Sequence, residues 1–597
     1  MKPRFRSFTW AIVLSIAIVS GCNPSSQKET AKIDDAPSTR LPDVFLISVD
    51  TLRADHLGCY GNKQSTTPTI DSLAKRGAQF ESAITTIPVT LPAHSSMLSG
   101  QIPPVHGVRD NGGDQLSPTV ETLTETLKSH GYQTGAFIGA QPLKADRGLS
   151  QGFDKYDDNI SGGNPSNDRF AGRSDRPAEV VAASACGWIS QCNKSKPLFA
   201  FVHLFDPHWP YVKKMEGAEQ PSYLGEIAYV DRVLTRFLKT VDSDRDPKNR
   251  IIVFTSDHGE GLGEHDEKTH CIFVYDSTIR IPLLINAPNL DPVKVQQPVS
   301  VIDVAPTILE LIGLEGLQAA DGISLVPAME SGTAEIRDLY FESRYGEFRF
   351  GWAPLKGIRR GNLKYISAPR PEIYDLESDP GELTNLYNQK KPLAAELNDV
   401  LVTIGDGIRT KTELSDEAIR KLANLGYVSA KVSDHDPNIK RPDPKDRIEF
   451  YQQFQNAYNW FTSGAKEEAL KTMLGLESSM SDSPQFYSEW AYFQTGAEKW
   501  QEAERSYLRC LELDPDYPEA ALNLSAVSIK LEKFQQGMDR LKILLAKEPE
   551  NGLAHLYAGF CAKELDQPKV AIEHWSQFVD LLPGHPDAPK IRAAIGR

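Results

Sequence analysis

Four residues of this chain carry the groups needed to activate an ester for attack: Asp50, Thr90, Asp257 and His258. Two carboxylates, an imidazole and a hydroxyl can share one divalent cation in an open site, and the cation lowers the pKa of the hydroxyl. Attack by Thr90 on a phosphorus or sulfur centre gives a covalent ester, which water or an acceptor alcohol then resolves. Thr90 opens the stretch TLPAHSSMLSG, with Pro92 two residues on and an apolar pattern through Met97 and Leu98. Proline is tolerated in a first helical turn, so the stretch predicts a helix start at Thr90. Free backbone N–H groups and a partial positive charge there favour an alkoxide, or a phosphate bonded to it. Taken by itself Thr90 reads as an ordinary N-cap; the other three residues change that reading.

The elements that must position these residues are short apolar runs. Residues 43–49 (DVFLISV) stop at Asp50, and residues 251–255 stop at Ser256-Asp257-His258-Gly259-Glu260. Residues 198–205 (LFAFVHLF) run into Asp206-Pro207-His208-Trp209-Pro210-Tyr211, and residues 133–140 (QTGAFIGA) are a weaker strand. Helical patterns lie between them at 69–76, 119–129, 178–190 and 227–241. Strands alternating with helices predict an α/β fold: a doubly wound, mostly parallel sheet with helices on both faces. Ligands bind beyond the carboxyl ends of such strands, so three strand ends converge on one edge. The chain from Tyr275 to 430 predicts the far side of this domain and a small C-terminal subdomain with antiparallel strands. Residues 431–448 are rich in proline and charge and predict a linker.

From about residue 449 the pattern is purely helical. Pro515, Pro549 and Pro583 are 34 residues apart, and Ala469, Ala503, Gly537 and Ala571 keep the same period. Small residues also recur at Ala457, Ala491, Ser525 and Gly559. This resembles the tetratricopeptide repeat, an all-α solenoid with four units over about 450–584. A protein or polymer partner on its concave face is expected; a packing spacer or self-association module is the plainer alternative.

A length of 597 residues predicts several domains. A net charge of −15 with no basic stripe argues against nucleic acid as a partner, while a metal would still admit an anionic substrate. Lys2, Arg4 and Arg6 precede an apolar run that ends in Val19-Ser20-Gly21-Cys22. That end resembles a bacterial lipoprotein box. It implies a leader over 1–22, lipid on Cys22, a tether over 23–41, and a place on the cell envelope facing periplasm or exterior. Cys186 and Cys192 could pair in an oxidising compartment.

The stretches VFLISVDTLRADHLGCYG (44–61), TLPAHSSMLSG (90–100) with His106-Gly107, and TSDHGEGLGEH (255–265) resemble the sulfatase branch of the alkaline phosphatase superfamily. Asp375-Leu376 and Asp379-Pro380 match its C-terminal part, so the resemblance spans about 42–430. It implies a metal held by Asp50, Asp257 and His258, with Thr90 as nucleophile. Sulfatases carry Cys or Ser at that nucleophile position, oxidised to formylglycine, with Arg four residues later; this chain has Thr90 and His94. A secondary alcohol cannot become an aldehyde, so the formylglycine route is closed. Many sulfatases also have a second Asp where Thr51 stands. Thr90 with Asp257-His258 is instead similar to the phosphoryl-handling relatives, namely nucleotide phosphodiesterases, lipoteichoic acid synthases and phosphoethanolamine transferases. By that analogy His208 and His270 hold the substrate's non-bridging oxygens or protonate its leaving group. Those transferases carry membrane helices that this sequence does not show, which favours hydrolysis or a soluble acceptor.

Other polar residues have weaker claims. His203 alternates with buried positions and reads as a core histidine; His94 either lines the site or packs. Asp206 is a candidate for a second metal, with one metal preferred. Glu260, Glu264 and His265 read as loop-shaping, and Arg53 and Arg109 as anion clamps. The reading that follows is a hydrolase of phosphate mono- or diesters using one divalent ion (Zn, Mn, Ca or Mg). Sulfate-ester hydrolysis without formylglycine is the nearest alternative. A catalytically silent scaffold that works through its repeats is the alternative of another class.

Overall fold

The computed structural model describes residues 40–160, 176–409, 440–583 and 585–596. The expected leader, Cys22, and the tether before Arg40 lie outside the described residues. So do linker residues 431–439.

The large sheet is built from β1 (Asp43–Val49), β2 (Ala78–Ile84), β3 (Gln133–Phe137), β4 (Lys155–Asp157) and β5 (Leu198–Leu204). It continues with β6 (Arg250–Ser256), β7 (Arg280–Asn286), β8 (Val293–Val295) and β9 (Val299–Ser300). Its order is β4-β3-β5-β1-β6-β7-β2-β8, with β9 beside β2. All pairings are parallel except the two made by β7. The doubly wound, mostly parallel expectation therefore matches the sheet, with one reversed strand. β1, β5 and β6 are buried at every position, the pattern of strands covered on both faces. Alternate side chains serve two cores: Val44 and Leu46 pack with Leu91, Met97 and Ile308, whereas Phe45, Ile47 and Val49 pack with Val181, Ile227 and Val230. Each buried large apolar side chain contributes about 1.5–3 kcal/mol.

A second sheet holds β10 (Asp338–Ser343), β11 (Leu355–Arg360), β12 (Leu363–Ser367) and β13 (Glu372–Asp375), paired antiparallel in that order. This is the small C-terminal subdomain. Composition alone makes residues 440–447 a linker, yet here they are anchored. Asp443 is 5% exposed, Lys445 pairs with Glu372, and Arg370 pairs with both Asp443 and Asp446. Cys186 and Cys192 are both free thiols.

Beyond them, helices alternate in hairpins. The first helix of each hairpin begins at Ile448, Pro484, Pro518 or Gly552, and its partner at Lys466, Trp500, Phe534 or Pro568. The turn between partners repeats with the same 34-residue spacing, because Gly464, Glu498, Glu532 and Asp566 all adopt left-handed φ, between 56° and 90°. Three acids with a β-carbon accept that conformation because it ends one helix and starts the next within a few residues. The small residues have a packing cause: a Cβ on Gly559 would lie 2.3 Å from the Trp575 ring. The first helix of the array, Ile448–Thr462, shares one apolar core with the second sheet, with Phe450 and Phe454 packed on Phe350 and Trp352. Among the described residues no helix is long and apolar enough to cross a membrane.

Candidate active site

β1 lies between β5 and β6, with Val49 opposite both Leu204 and Ser256. The residues that follow these three positions therefore emerge side by side, which places Asp50 next to Asp257 and His258. Asp257 Oδ1 accepts the His258 N–H at 2.9 Å and the Thr51 N–H at 3.2 Å. Thr51 holds a left-handed φ of 55°, a strained conformation for a β-branched residue, at a cost of about 1–3 kcal/mol. The bond to Asp257 and a 2.6 Å bond from the Tyr223 hydroxyl to the Thr51 carbonyl hold it there. After His258 the chain passes so close to Ser277 that a Cβ on Gly259 would sit 2.2 Å from that carbonyl oxygen.

Thr90 is the first residue of the helix Thr90–Ser99, all of which is buried. Its Oγ1 lies 3.5 Å from His258 Nε2. The Nδ1–H of His258 donates to the Gly259 carbonyl at 2.9 Å, which leaves Nε2 as the lone-pair nitrogen. That nitrogen is 3.5 Å from Asp257 Oδ2 and 3.8 Å from Asp50 Oδ1. Neither Asp50 oxygen, nor Asp257 Oδ2, has a hydrogen-bond partner among the described residues. Unmet buried carboxylate oxygens that converge on a lone-pair nitrogen fit a divalent cation, and Asp50, Asp257 and His258 lie within the reach of one ion. Burial, then the charges of Asp257 and Glu260, push the Asp50 carboxyl well above its usual range.

The two other histidines expected at the site stand beside it. The His270 ring is 4.5 Å from His258 and 5.1 Å from His208, centroid to centroid. His270 Nδ1 is 2.9 Å from Glu260 Oε1. Burial pushes the Glu260 carboxyl up to about 8 and holds His270 down to about 4. His208 Nδ1–H donates to the Trp209 carbonyl at 2.5 Å, and its ring stacks on Phe205.

His94 is packed against the site, with its Nδ1 3.8 Å from Asp257 Oδ2. It is fully buried, its Nδ1–H donates to the Thr90 carbonyl at 2.8 Å, and its Nε2 is 2.9 Å from the Ser48 hydroxyl. Arg53 is spent on the loop around the site: it pairs with Asp55 and Glu264 and donates to the Glu260 carbonyl. Arg109 is buried and faces Glu342 at 3.4 Å. Asp206 caps a helix by accepting the Ala178 N–H, and His265 stacks on Tyr275 with ring centroids 3.6 Å apart.

Two residues carry more weight than their sequence context suggests. Asn111 Oδ1 accepts the Leu91 N–H at 2.8 Å, while its Nδ2 has no partner among the described residues. A donor is thus held at the helix start beside Thr90, yet no spacing rule marks a lone asparagine 21 residues downstream. His203 faces Asp50 at 3.6 Å, which only the β1/β5 register reveals.

Residues 42–314 match the family described as Sulfatase, and residues 263–405 match the C-terminal region of N-sulphoglucosamine sulphohydrolase. Residues 42–405 are thus similar to the sulfatase family. The chain is a hydrolase acting on sulfate or phosphoester bonds. The chain is 26% identical over 459 residues to an ulvan-active sulfatase of Formosa agariphila, covering 67% of this chain and 88% of that one. It is also 26% identical over 430 residues to a choline-sulfatase of Rhizobium meliloti, covering 58% and 83%. The phosphonate monoester hydrolase of Agrobacterium radiobacter shares the fold with a TM-score of 0.50 at 22% identity, over 61% of this chain and 95% of that one. The family typically uses a divalent metal, which agrees with the donor set around Asp50.

Proposed function

We propose that this chain hydrolyses phosphate mono- or diesters through a covalent ester on Thr90. The observation that carries the reading is the Thr90 hydroxyl within 3.5 Å of His258 Nε2, among three unmet carboxylate oxygens. Asp50, Thr90, Asp257 and His258 would hold one divalent ion, which when bound acidifies the Thr90 hydroxyl and offsets negative charge on the transferred group. Thr90 Oγ forms the bond to phosphorus as the bond to the leaving oxygen breaks. The Thr90 proton is balanced by one delivered to that oxygen, through His208 or through His270 backed by Glu260. Water then attacks the Thr90 ester, releasing phosphate from a monoester substrate or a phosphate monoester from a diester, and returns a proton to Thr90 Oγ. Asn111 Nδ2–H is a donor for a non-bridging oxygen.

Sulfate-ester hydrolysis is the second reading. It is favoured by the names of the curated relatives and uses the same residues with sulfur in place of phosphorus. Aryl phosphate, aryl phosphodiester and aryl sulfate offered side by side to metal-loaded enzyme decide between them. We expect the largest kcat/KM on a phosphate ester; a sulfate ester preferred by tenfold or more reverses the assignment. No turnover on any of them, with no bound metal, supports the scaffold reading instead.

The helical array we read as tetratricopeptide repeats, supported by its 34-residue turn spacing, with a partner or substrate-bearing polymer on its concave face. The lipoprotein box supports attachment to the bacterial cell envelope through Cys22. Substitution Cys22→Ala should move the protein from the membrane to the soluble fraction; an unchanged distribution rejects the anchor.

A further inference from the structure

His203 sits on β5 opposite Ser48 of β1, two residues before Asp50. The ring is fully buried and lies edge-on to His94, with centroids 4.9 Å apart. Its Nε2 is 3.6 Å from Asp50 Oδ2, and neither ring nitrogen has a hydrogen-bond partner among the described residues. Both oxygens of Asp50 are unmet as well. Leaving such a buried group unsatisfied is unfavourable, and more so when it is charged. Here a donor ring and an acceptor carboxylate, both unmet, face each other just beyond hydrogen-bond length. His94 cannot take this role, because Thr90 and Ser48 occupy its two nitrogens.

We propose that His203 is a positioning residue for the metal site: its Nε2–H donates to Asp50 Oδ2 and so aims Oδ1 at the cation. Oδ1 is the oxygen that faces His258 Nε2, at 3.8 Å. The inference rests on Asp50 being a ligand, as the proposed function has it. A carboxylate ligand oriented by an outer donor binds metal more tightly, because its geometry is set before the ion arrives. Loss of such a support typically lowers affinity 10–100-fold.

Isothermal titration of Mn²⁺ and of Zn²⁺ into chelator-stripped full-length protein tests this. His203→Leu should weaken binding roughly 10–100-fold, while His203→Gln, which keeps an N–H donor, should stay within about threefold of wild type. Wild-type affinity in His203→Leu overturns the inference. Equal losses in His203→Leu and His203→Gln overturn it too, and make His203 a direct ligand. Asp50→Asn run alongside separates the two layers. If Asp50→Asn binds metal normally, Asp50 is no ligand and the parent reading falls. If it loses metal while His203→Leu does not, only the role of His203 falls. Should His203→Leu fail to fold, His203→Asn replaces it, since its shorter side chain cannot reach Asp50 and a 10–100-fold loss is again expected.

Discussion

Replacing Thr90 by alanine should lower kcat/KM on the preferred ester by roughly 10⁴- to 10⁶-fold, the scale expected when the proposed nucleophile is deleted. This corresponds to about 5–8 kcal/mol of transition-state stabilisation. The loss is chemical rather than structural. Among the described residues the hydroxyl has one hydrogen-bond neighbour, His258, and the helix that Thr90 opens is held by Leu91 bonded to Asn111 and by its buried side chains. The metal-free variant should therefore melt like wild type, and it keeps three of the four proposed metal ligands, Asp50, Asp257 and His258. Thr90→Ser keeps a hydroxyl and should retain far more activity. Acid quench during turnover, followed by peptide mass spectrometry, should find the transferred group on the Thr90 peptide. An alanine variant that turns over at the wild-type rate ends the nucleophile assignment.

The second large effect concerns Asp50. Stripped of metal, the native protein carries this carboxyl buried beside Asp257 and Glu260, and the folded-state pKa lies well above the ordinary carboxylate value. The native state then holds a proton that the unfolded chain gives up, so stability falls as pH climbs from the ordinary carboxylate range through the raised native value. Asp50→Asn carries no such charge. Chelator-treated Asp50→Asn should be more stable than wild type by about 1–3 kcal/mol near neutral pH, with a flatter pH dependence. Metal narrows or reverses the gap: at a hundred times its dissociation constant the ion should add about 2.7 kcal/mol to wild type and almost nothing to the variant. Melting curves with and without chelator, at several pH values, read both signs. If wild type and Asp50→Asn respond equally to metal, Asp50 is not a ligand.

Much of this was legible in the residues themselves. The apolar runs ending at Asp50 and at Ser256-Asp257 gave two central strands to within a residue, because strands buried on both faces leave no other pattern. β2 escaped, since Gln79, Glu81 and Ser82 interrupt its apolar character. The reversed direction of β7 is a property of pairing and leaves no mark on one chain. Alternation places His203 on a buried face but does not tell what stands on the neighbouring strand. Residues 440–447 looked like a linker through proline and charge, yet those charges are what fasten them to Glu372 and Arg370. The helical hairpins were plain, as a 34-residue period needs no partner to be seen.

The apolar core beneath the second sheet runs on into the array as far as Val527, and a separate cluster takes over from Met538 to Ile591. The boundary between the two cores thus falls inside the row of hairpins, at helix Pro518–Lys530, whose Leu524 and Val527 join the first while its Leu522 and Ile529 pack on the second. Under force or protease the helices beyond it should yield first, and the proximal ones should melt together with the second sheet. Evolution, or an engineer, can exchange the outer hairpins like beads on the end of a string, but trimming inward of that boundary removes part of the enzyme's own foundation.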